Sequence, residues 1–330
     1  MRIAITGACG RLGRTLTDRL LARGHEVAAL DAVPPMAAPP DGVAFTQVDL
    51  ADRAGLIAAC AGADTVVHLA ALMSWRRDDD AALFTANVLG TANVAEAAVL
   101  AGAYLVFASS GEVYPEGRPA YQPLDEDHPR APTSAYGLTK ALGEDTVAFY
   151  RRARGLRASV LRFAHFQDAA ELLDEDSFFS GPRFFVHRKL AQQRAFGNAA
   201  AVAALEPYDD GAPRLLLSRG ADGTPYRMGI LDSRDLAEGV AAAAERPDLD
   251  GATIGVGPDD SVGFDDLIPL MADGAGLPYA DVRLPGPAVH YTTSNAAARE
   301  LLGFAVRHPI AEMAAEAVAA RLARAARPSA

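Results

Sequence analysis

A tyrosine and a lysine four residues apart, Tyr136 and Lys140, are the pair in this 330-residue chain best suited to moving a proton. On a helix, side chains at that spacing share a face. A phenol ionises at about pH 10, too high for a base at neutral pH, and an ammonium beside it favours the phenolate. Such a base suits a hydroxyl whose carbon gives up a hydride, because that hydroxyl must shed its proton as the carbonyl forms. Ser110, which ends the apolar run Phe107-Ala108-Ser109, adds a hydroxyl able to hold the reacting oxygen against Tyr136. Taken alone, the Tyr–Lys spacing is also that of an ordinary surface pair on a helix. What lies upstream decides between the two.

Upstream, Thr6-Gly7-Ala8-Cys9-Gly10-Arg11-Leu12-Gly13 follows an apolar run and opens an amphipathic one. Gly7 permits a tight turn, Gly10 lets the backbone approach a pyrophosphate, and Gly13 lets the helix pack closely. The free N–H groups of the helix start, with their partial positive charge, suit phosphate oxygens. Asp31 ends the second apolar run, where a carboxylate accepts from both ribose hydroxyls and repels a 2′-phosphate. No arginine follows it in Ala32-Val33-Pro34, so the residues favour NAD over NADP. Arg11 and Arg14 are placed to reach the adenosine side, and Cys9 reads as a small side chain in a crowded turn.

The elements that must position these groups alternate. Arg2–Ile5, His25–Leu30, Val43–Val48, Thr65–Leu69, Tyr104–Ala108 and Arg157–Arg162 read as strands. Leu12–Arg23, Arg53–Cys60, Ala81–Ala101 and Ala135–Arg154 read as helices between them. This predicts an α/β fold, a doubly wound Rossmann parallel sheet. Residues 1–164 form its nucleotide-binding part, with roughly 227–260 returning to it, and 165–330 form a smaller substrate-binding region. From Gln167 to Tyr226 the rhythm breaks and no βα unit is visible. Helices over Ser233–Glu245, Phe264–Gly274, Ser294–Gly303 and from Pro309 to Ala325, and a strand at Ala252–Val256, complete the reading.

A formal charge of −11 argues against nucleic acid as a partner. Two cysteines, Cys9 and Cys60, are too few for a disulfide framework, and seven scattered histidines show no metal-ligand spacing. The first residues are needed for a strand, and no apolar run approaches the roughly 20 residues of a membrane span. These observations predict a cytoplasmic protein with no membrane partner.

In this order the motifs resemble an extended short-chain dehydrogenase/reductase of the NAD-dependent epimerase/dehydratase family. The resemblance runs through Gly7, Gly10 and Gly13, Val48-Asp49-Leu50, Val67-His68-Leu69-Ala70-Ala71, Asn87-Val88-Leu89-Gly90-Thr91, Ser109-Ser110-Gly111-Glu112-Val113-Tyr114, Tyr136-Gly137-Leu138-Thr139-Lys140 and the closing Arg299–Phe304. It implies NAD contacts from Arg11, Leu12, Asp49, Leu50, Leu69, Ala70, Ala71, Asn87 and Ala108, besides the glycines, Asp31, Tyr136 and Lys140. It also implies a homodimer pairing the helices at Ala81–Ala101 and Ala135–Arg154. Gly111 stands where similar dehydratases carry an aspartate, while Glu112 remains as an auxiliary base or a structural carboxylate. His165 replaces the asparagine that touches substrate in many relatives.

On the substrate side, Gly181–Lys189 concentrates cations and aromatics in an acidic chain. Arg183, His187, Arg188 and Arg227, with His165 and Ser110, are candidate substrate ligands. The competing reading is a loop whose arginines pair with Asp174, Glu175 and Asp176. The expected function is a sugar epimerase-like enzyme that transiently oxidises a hydroxyl of a sugar or sugar nucleotide. The alternatives are a dehydrogenase or ketoreductase of a sugar acid, polyol or natural-product intermediate, and a non-catalytic NAD sensor.

Overall fold

The computed structural model describes residues 1–115 and 119–326. In chain order its first half comprises β1 (Arg2–Thr6), α1 (Arg11–Ala22), β2 (Glu26–Asp31), β3 (Val43–Gln47), α2 (Arg53–Cys60), β4 (Thr65–His68), α3 (Asp80–Leu83), α4 (Gly90–Ala101), β5 (Tyr104–Ser110), α5 (Ala135–Arg154) and β6 (Arg157–Phe163). Then follow β7 (Phe166–Gln167), α6 (Ser180–Phe184), α7 (Val186–Ala195), α8 (Ala199–Leu205), β8 (Leu215–Arg219), β9 (Arg227–Met228), β10 (Leu231–Asp232), α9 (Ser233–Ala244) and β11 (Thr253–Val256). The chain closes with β12 (Val262–Gly263), α10 (Phe264–Ala275), β13 (Tyr279–Arg283), α11 (Ala296–Leu302) and α12 (Ile310–Ala325).

Seven parallel strands in the order β11-β6-β5-β4-β1-β2-β3 make the main sheet. Helices cover both faces, which is why β1 and β5 are apolar without alternation: Ile3, Ala4, Ile5, Tyr104 and Leu105 have no exposed surface. One face packs Ile3, Ile5 and Val106 against α1, α9 and Phe304. The other packs Ala4, Leu105 and Phe107 against α2, α4 and α5. A third core, around Phe184, Phe185, Leu217, Phe264 and Met313, supports the C-terminal region. Side chains of Asp52, Ser134 and Asp232 each accept a backbone N–H at the start of α2, α5 and α9.

Two observations add to the sequence reading. First, the span 167–226 holds the short elements α6, α7, α8 and β8. Its helices are short, and the triple leucine of β8 finds its parallel partner only in β13, far along the chain. Second, the helical stretch Arg77–Ala101 is long and apolar enough to cross a bilayer by length and composition, with mean hydropathy 1.3 over its best window. Half of that window is buried inside the fold, where α4 packs against α2 and α5. Within the stretch, Phe84–Leu89 widens into a π-helical turn, which carries the buried Asn87.

Candidate active site

The carboxyl ends of β1, β4 and β5 converge, the edge where open α/β sheets take ligands. Gly7 leaves β1 at φ +75, and a Cβ there would lie 2.8 Å from the backbone nitrogen of Ala70. At Gly13 a Cβ would lie 2.2 Å from the carbonyl oxygen of Gly7, so only glycine lets α1 start this close to the turn. Gly10 heads α1 without a side-chain cap, leaving the N–H groups of the first turn for an anion. Asp31 accepts from the backbone N–H of Cys9 (2.9 Å) and of Val33 (3.1 Å), so it also fixes the turn's shape. Arg14 is held by the Cys9 carbonyl at 2.7 Å. This cradle fits a dinucleotide.

Other expected cofactor residues surround it. Leu69 and Ala70 both donate backbone N–H groups to the Thr6 carbonyl, with Leu12 buried in the adjoining helix and Ala71 exposed. Asp49 caps its own turn through Ala51 N–H (2.8 Å), and Leu50 packs against Gly90. Asn87 spends its amide within the chain: it accepts from Leu72 N–H (2.8 Å) and donates to Leu72 O (2.9 Å) and Thr139 Oγ1 (2.9 Å). It therefore braces the loop after β4 against α5. Arg11 pairs with Glu171 at 2.8 Å.

Ser134 caps α5 and so places Tyr136 on its first turn and Lys140 one turn further, both buried. Lys140 Nζ donates to Ala108 O at 2.7 Å and stands 5.8 Å from the centre of the Tyr136 ring. Ser110 hydrogen-bonds the phenol, which favours the phenolate. Burial and the charge of Glu112 outweigh that bond and push the Tyr136 phenol up. Burial likewise brings Lys140 down to about 8, against the pull of Glu144. The expectation that Lys140 lowers Tyr136 is thus not met by the chain's own groups, because burial and the Glu112 charge dominate. Beneath the pair, Glu144 accepts from Ser109 Oγ (2.6 Å) and from Arg162 Nε and Nη2 (both 2.9 Å).

A cleft of about 360 Å³ opens over Tyr136. From the Rossmann side it is lined by Ser110, Glu112 and Tyr136, and from the C-terminal side by His165, Arg183, Lys189 and Arg227. Burial and Arg183 hold His165 neutral, well below the usual histidine range, and Arg183 donates to its Nε2 at 2.7 Å. Arg227 donates to Ser261 O at 2.7 Å. His187 and Arg188 are not in the lining: they pair with Glu175 and Asp176, as the loop reading has it. Trp75, Phe178 and Phe179 also wall the cleft; they lie in segments without periodicity, where nothing marked them beforehand. Among the described residues no group of acidic, histidine or cysteine side chains is placed to hold a metal.

The sequence pattern of the NAD-dependent epimerase/dehydratase family matches residues 3–175. The chain belongs to this family. The family is NAD-dependent and lies in the short-chain dehydrogenase/reductase superfamily. A superfamily protein from Agrobacterium tumefaciens, solved with bound NAD, superposes with a TM-score of 0.92 at 43% identity, covering 99% of this chain and 98% of that one. The UDP-glucose 4-epimerase of Mycolicibacterium smegmatis is 40% identical over 172 residues, 48% of this chain and 54% of its own. The uronate dehydrogenase of Pseudomonas putida is 34% identical over 165 residues, 49% of this chain and 59% of its own. The match thus spans little more than half the length of these curated family members.

Proposed function

We propose that this enzyme removes a hydride and a proton from a hydroxyl-bearing carbon of an anionic sugar, nucleotide-linked in the leading reading, and returns them after the keto sugar has turned over. The observation that supports this is one cleft joining Ser110 and Tyr136 to Arg183, Lys189 and Arg227 in a chain of net charge −11. Tyr136 takes the hydroxyl proton, and on the return step gives it back. Ser110 holds the reacting oxygen, and Lys140 supplies the nearby positive charge. Gly7, Gly10, Gly13 and Asp31 hold the dinucleotide. NAD, when bound there, would supply the hydride acceptor and a positive ring that favours the phenolate.

A second reading is a dehydrogenase that releases NADH after oxidising a single-ring sugar acid. It is favoured by the cleft's size, about 360 Å³, at the low end of the roughly 300–1,000 Å³ of ligand pockets. Extensively dialysed protein is denatured and its nucleotide identified, then the enzyme is assayed with UDP-glucose and with hexuronates. Retained NAD with epimerised product supports the first reading, and accumulating NADH the second. In either, Tyr136→Phe lowers turnover about 10²–10⁴-fold with NAD affinity preserved. An unchanged rate removes Tyr136 from the mechanism, and no turnover with any sugar leaves the NAD-sensor reading. We also propose a homodimer through α4 and α5, whose Leu100, Leu138 and Phe149 are exposed; light scattering tests it.

A further inference from the structure

We propose that Trp75 and Phe178 form a stacking platform beside Tyr136 for the apolar face of the substrate's sugar ring. The inference rests on the sugar reading above and adds a subsite to it. The two rings stack at 5.7 Å with 24° between their planes, yet Trp75 is 39% and Phe178 55% exposed. Single exposed apolar side chains are ordinary on any surface, whereas contiguous exposed apolar surface in a cleft marks a ligand site, and these two rings are contiguous. Both line the cleft that holds Tyr136.

The neighbouring Phe179 is already engaged. Arg11 and Arg183 stand over its ring at 5.4 and 5.9 Å, and His165 meets its ring at 4.9 Å. What remains for a ligand is the surface of Trp75 and Phe178. The indole is also held in place. Its Nε1 donates to Glu112 Oε2 at 3.2 Å, and Ser134 Oγ donates to the same oxygen at 2.6 Å. Ser134 is the residue that caps α5 by accepting the Gly137 N–H at 2.9 Å. Trp75 is therefore tied to the helical turn that carries Tyr136, with the two rings 6.3 Å apart. A ring laid on the platform lies within reach of the phenol.

The surroundings select a sugar over a purely aromatic group. A pyranose has C–H faces that suit an aromatic surface and hydroxyls around its edge. Here the platform is bordered by Glu112, Ser110 and Tyr136, which can meet those hydroxyls, whereas an aromatic ring would desolvate them without partners.

Trp75 is the chain's single tryptophan, so its emission reports this subsite alone. The NAD-saturated enzyme is titrated with UDP-glucose, with sodium D-glucuronate, and with UMP as a nucleotide lacking the sugar. We expect saturable emission changes with whichever sugar is turned over, at a midpoint matching its KM, and none with UMP. Trp75→Ala is expected to raise that KM roughly tenfold, the scale of one ring stack, with kcat and NAD affinity little changed and Trp75→Phe recovering most of the loss. Turnover without an emission change overturns the platform and leaves the enzyme reading standing. Saturable emission changes without turnover do the reverse. Silence in both overturns both. A fall in kcat at constant KM in Trp75→Ala, or an equal loss of NAD affinity, also overturns the platform, since Trp75 would then act through Glu112 or on the cofactor.

Discussion

Replacing Arg162 with methionine tests how the floor of the site is held. Arg162 and Glu144 are both 7% exposed and joined by two bonds of 2.9 Å, while Arg162 Nη1 also donates to Tyr114 Oη (3.0 Å) and Glu126 O (2.9 Å). In Arg162→Met the carboxylate of Glu144 stays buried, left with Ser109 and the looser Arg130 contact at 3.3 Å. Stranding one member of a buried pair costs about 3–5 kcal/mol. Removing both charges and filling the space costs far less, because neither ion then has to be desolvated. Arg162→Met is therefore expected to lose about 3–5 kcal/mol in urea unfolding at unchanged m. Arg162→Met/Glu144→Leu is expected to recover to within about 1–2 kcal/mol of the parent, a coupling of at least about 2 kcal/mol across the cycle. A single variant costing under about 1 kcal/mol, or an additive cycle, refutes the reasoning.

Lys140 titrates at about 8 in the fold and 10.5 as an unperturbed side chain. Below pH 8 both states are protonated and the burial penalty is complete; between 8 and 10.5 the unfolded chain binds more protons, so this group's share of stability rises with pH. The stability of the parent relative to Lys140→Met is thus expected to rise by about 3 kcal/mol across that window, and a constant difference in urea melts would refute it. Gly13→Val, whose Cβ alone would sit 2.2 Å from Gly7 O, is expected to abolish NAD binding measured by calorimetry while α1 stays helical by circular dichroism. Asp31→Ala is expected to weaken NAD at least about tenfold and to narrow the gap to NADP, because a ribose acceptor and an N–H acceptor of the turn disappear together.

What could be read before the structure was local chemistry. The Gly7–Gly13 turn needs only short-range sterics, and Tyr136 and Lys140 share a face by helix geometry alone. The middle of the chain was opaque because its partners are distant: β8 pairs with β13, and Phe178 stacks on Trp75 from a segment far along the chain. Arg162 and Glu144 lie on β6 and α5, and nothing in either segment announces the other. The ionisation of Tyr136 could not be foreseen either, since spacing shows a nearby lysine but not the burial and the Glu112 charge that push the phenol up. For Arg188 and His187 both readings were open, and only the fold gave their carboxylate partners.

The return of β11 to the outer side of β6 has a consequence for how the protein is made. Between Phe163 and Thr253 the chain leaves the sheet, builds most of the substrate side and comes back. During synthesis, β6 therefore emerges with a bare edge of unpaired N–H and C=O groups on an apolar strand. That edge stays open until Thr253–Val256 has cleared the ribosome, several seconds at about 5–20 residues per second. A nascent chain stalled or cleaved in this interval presents a template for intermolecular strand pairing, so the substrate region doubles as the delay before the nucleotide fold is safe from its neighbours.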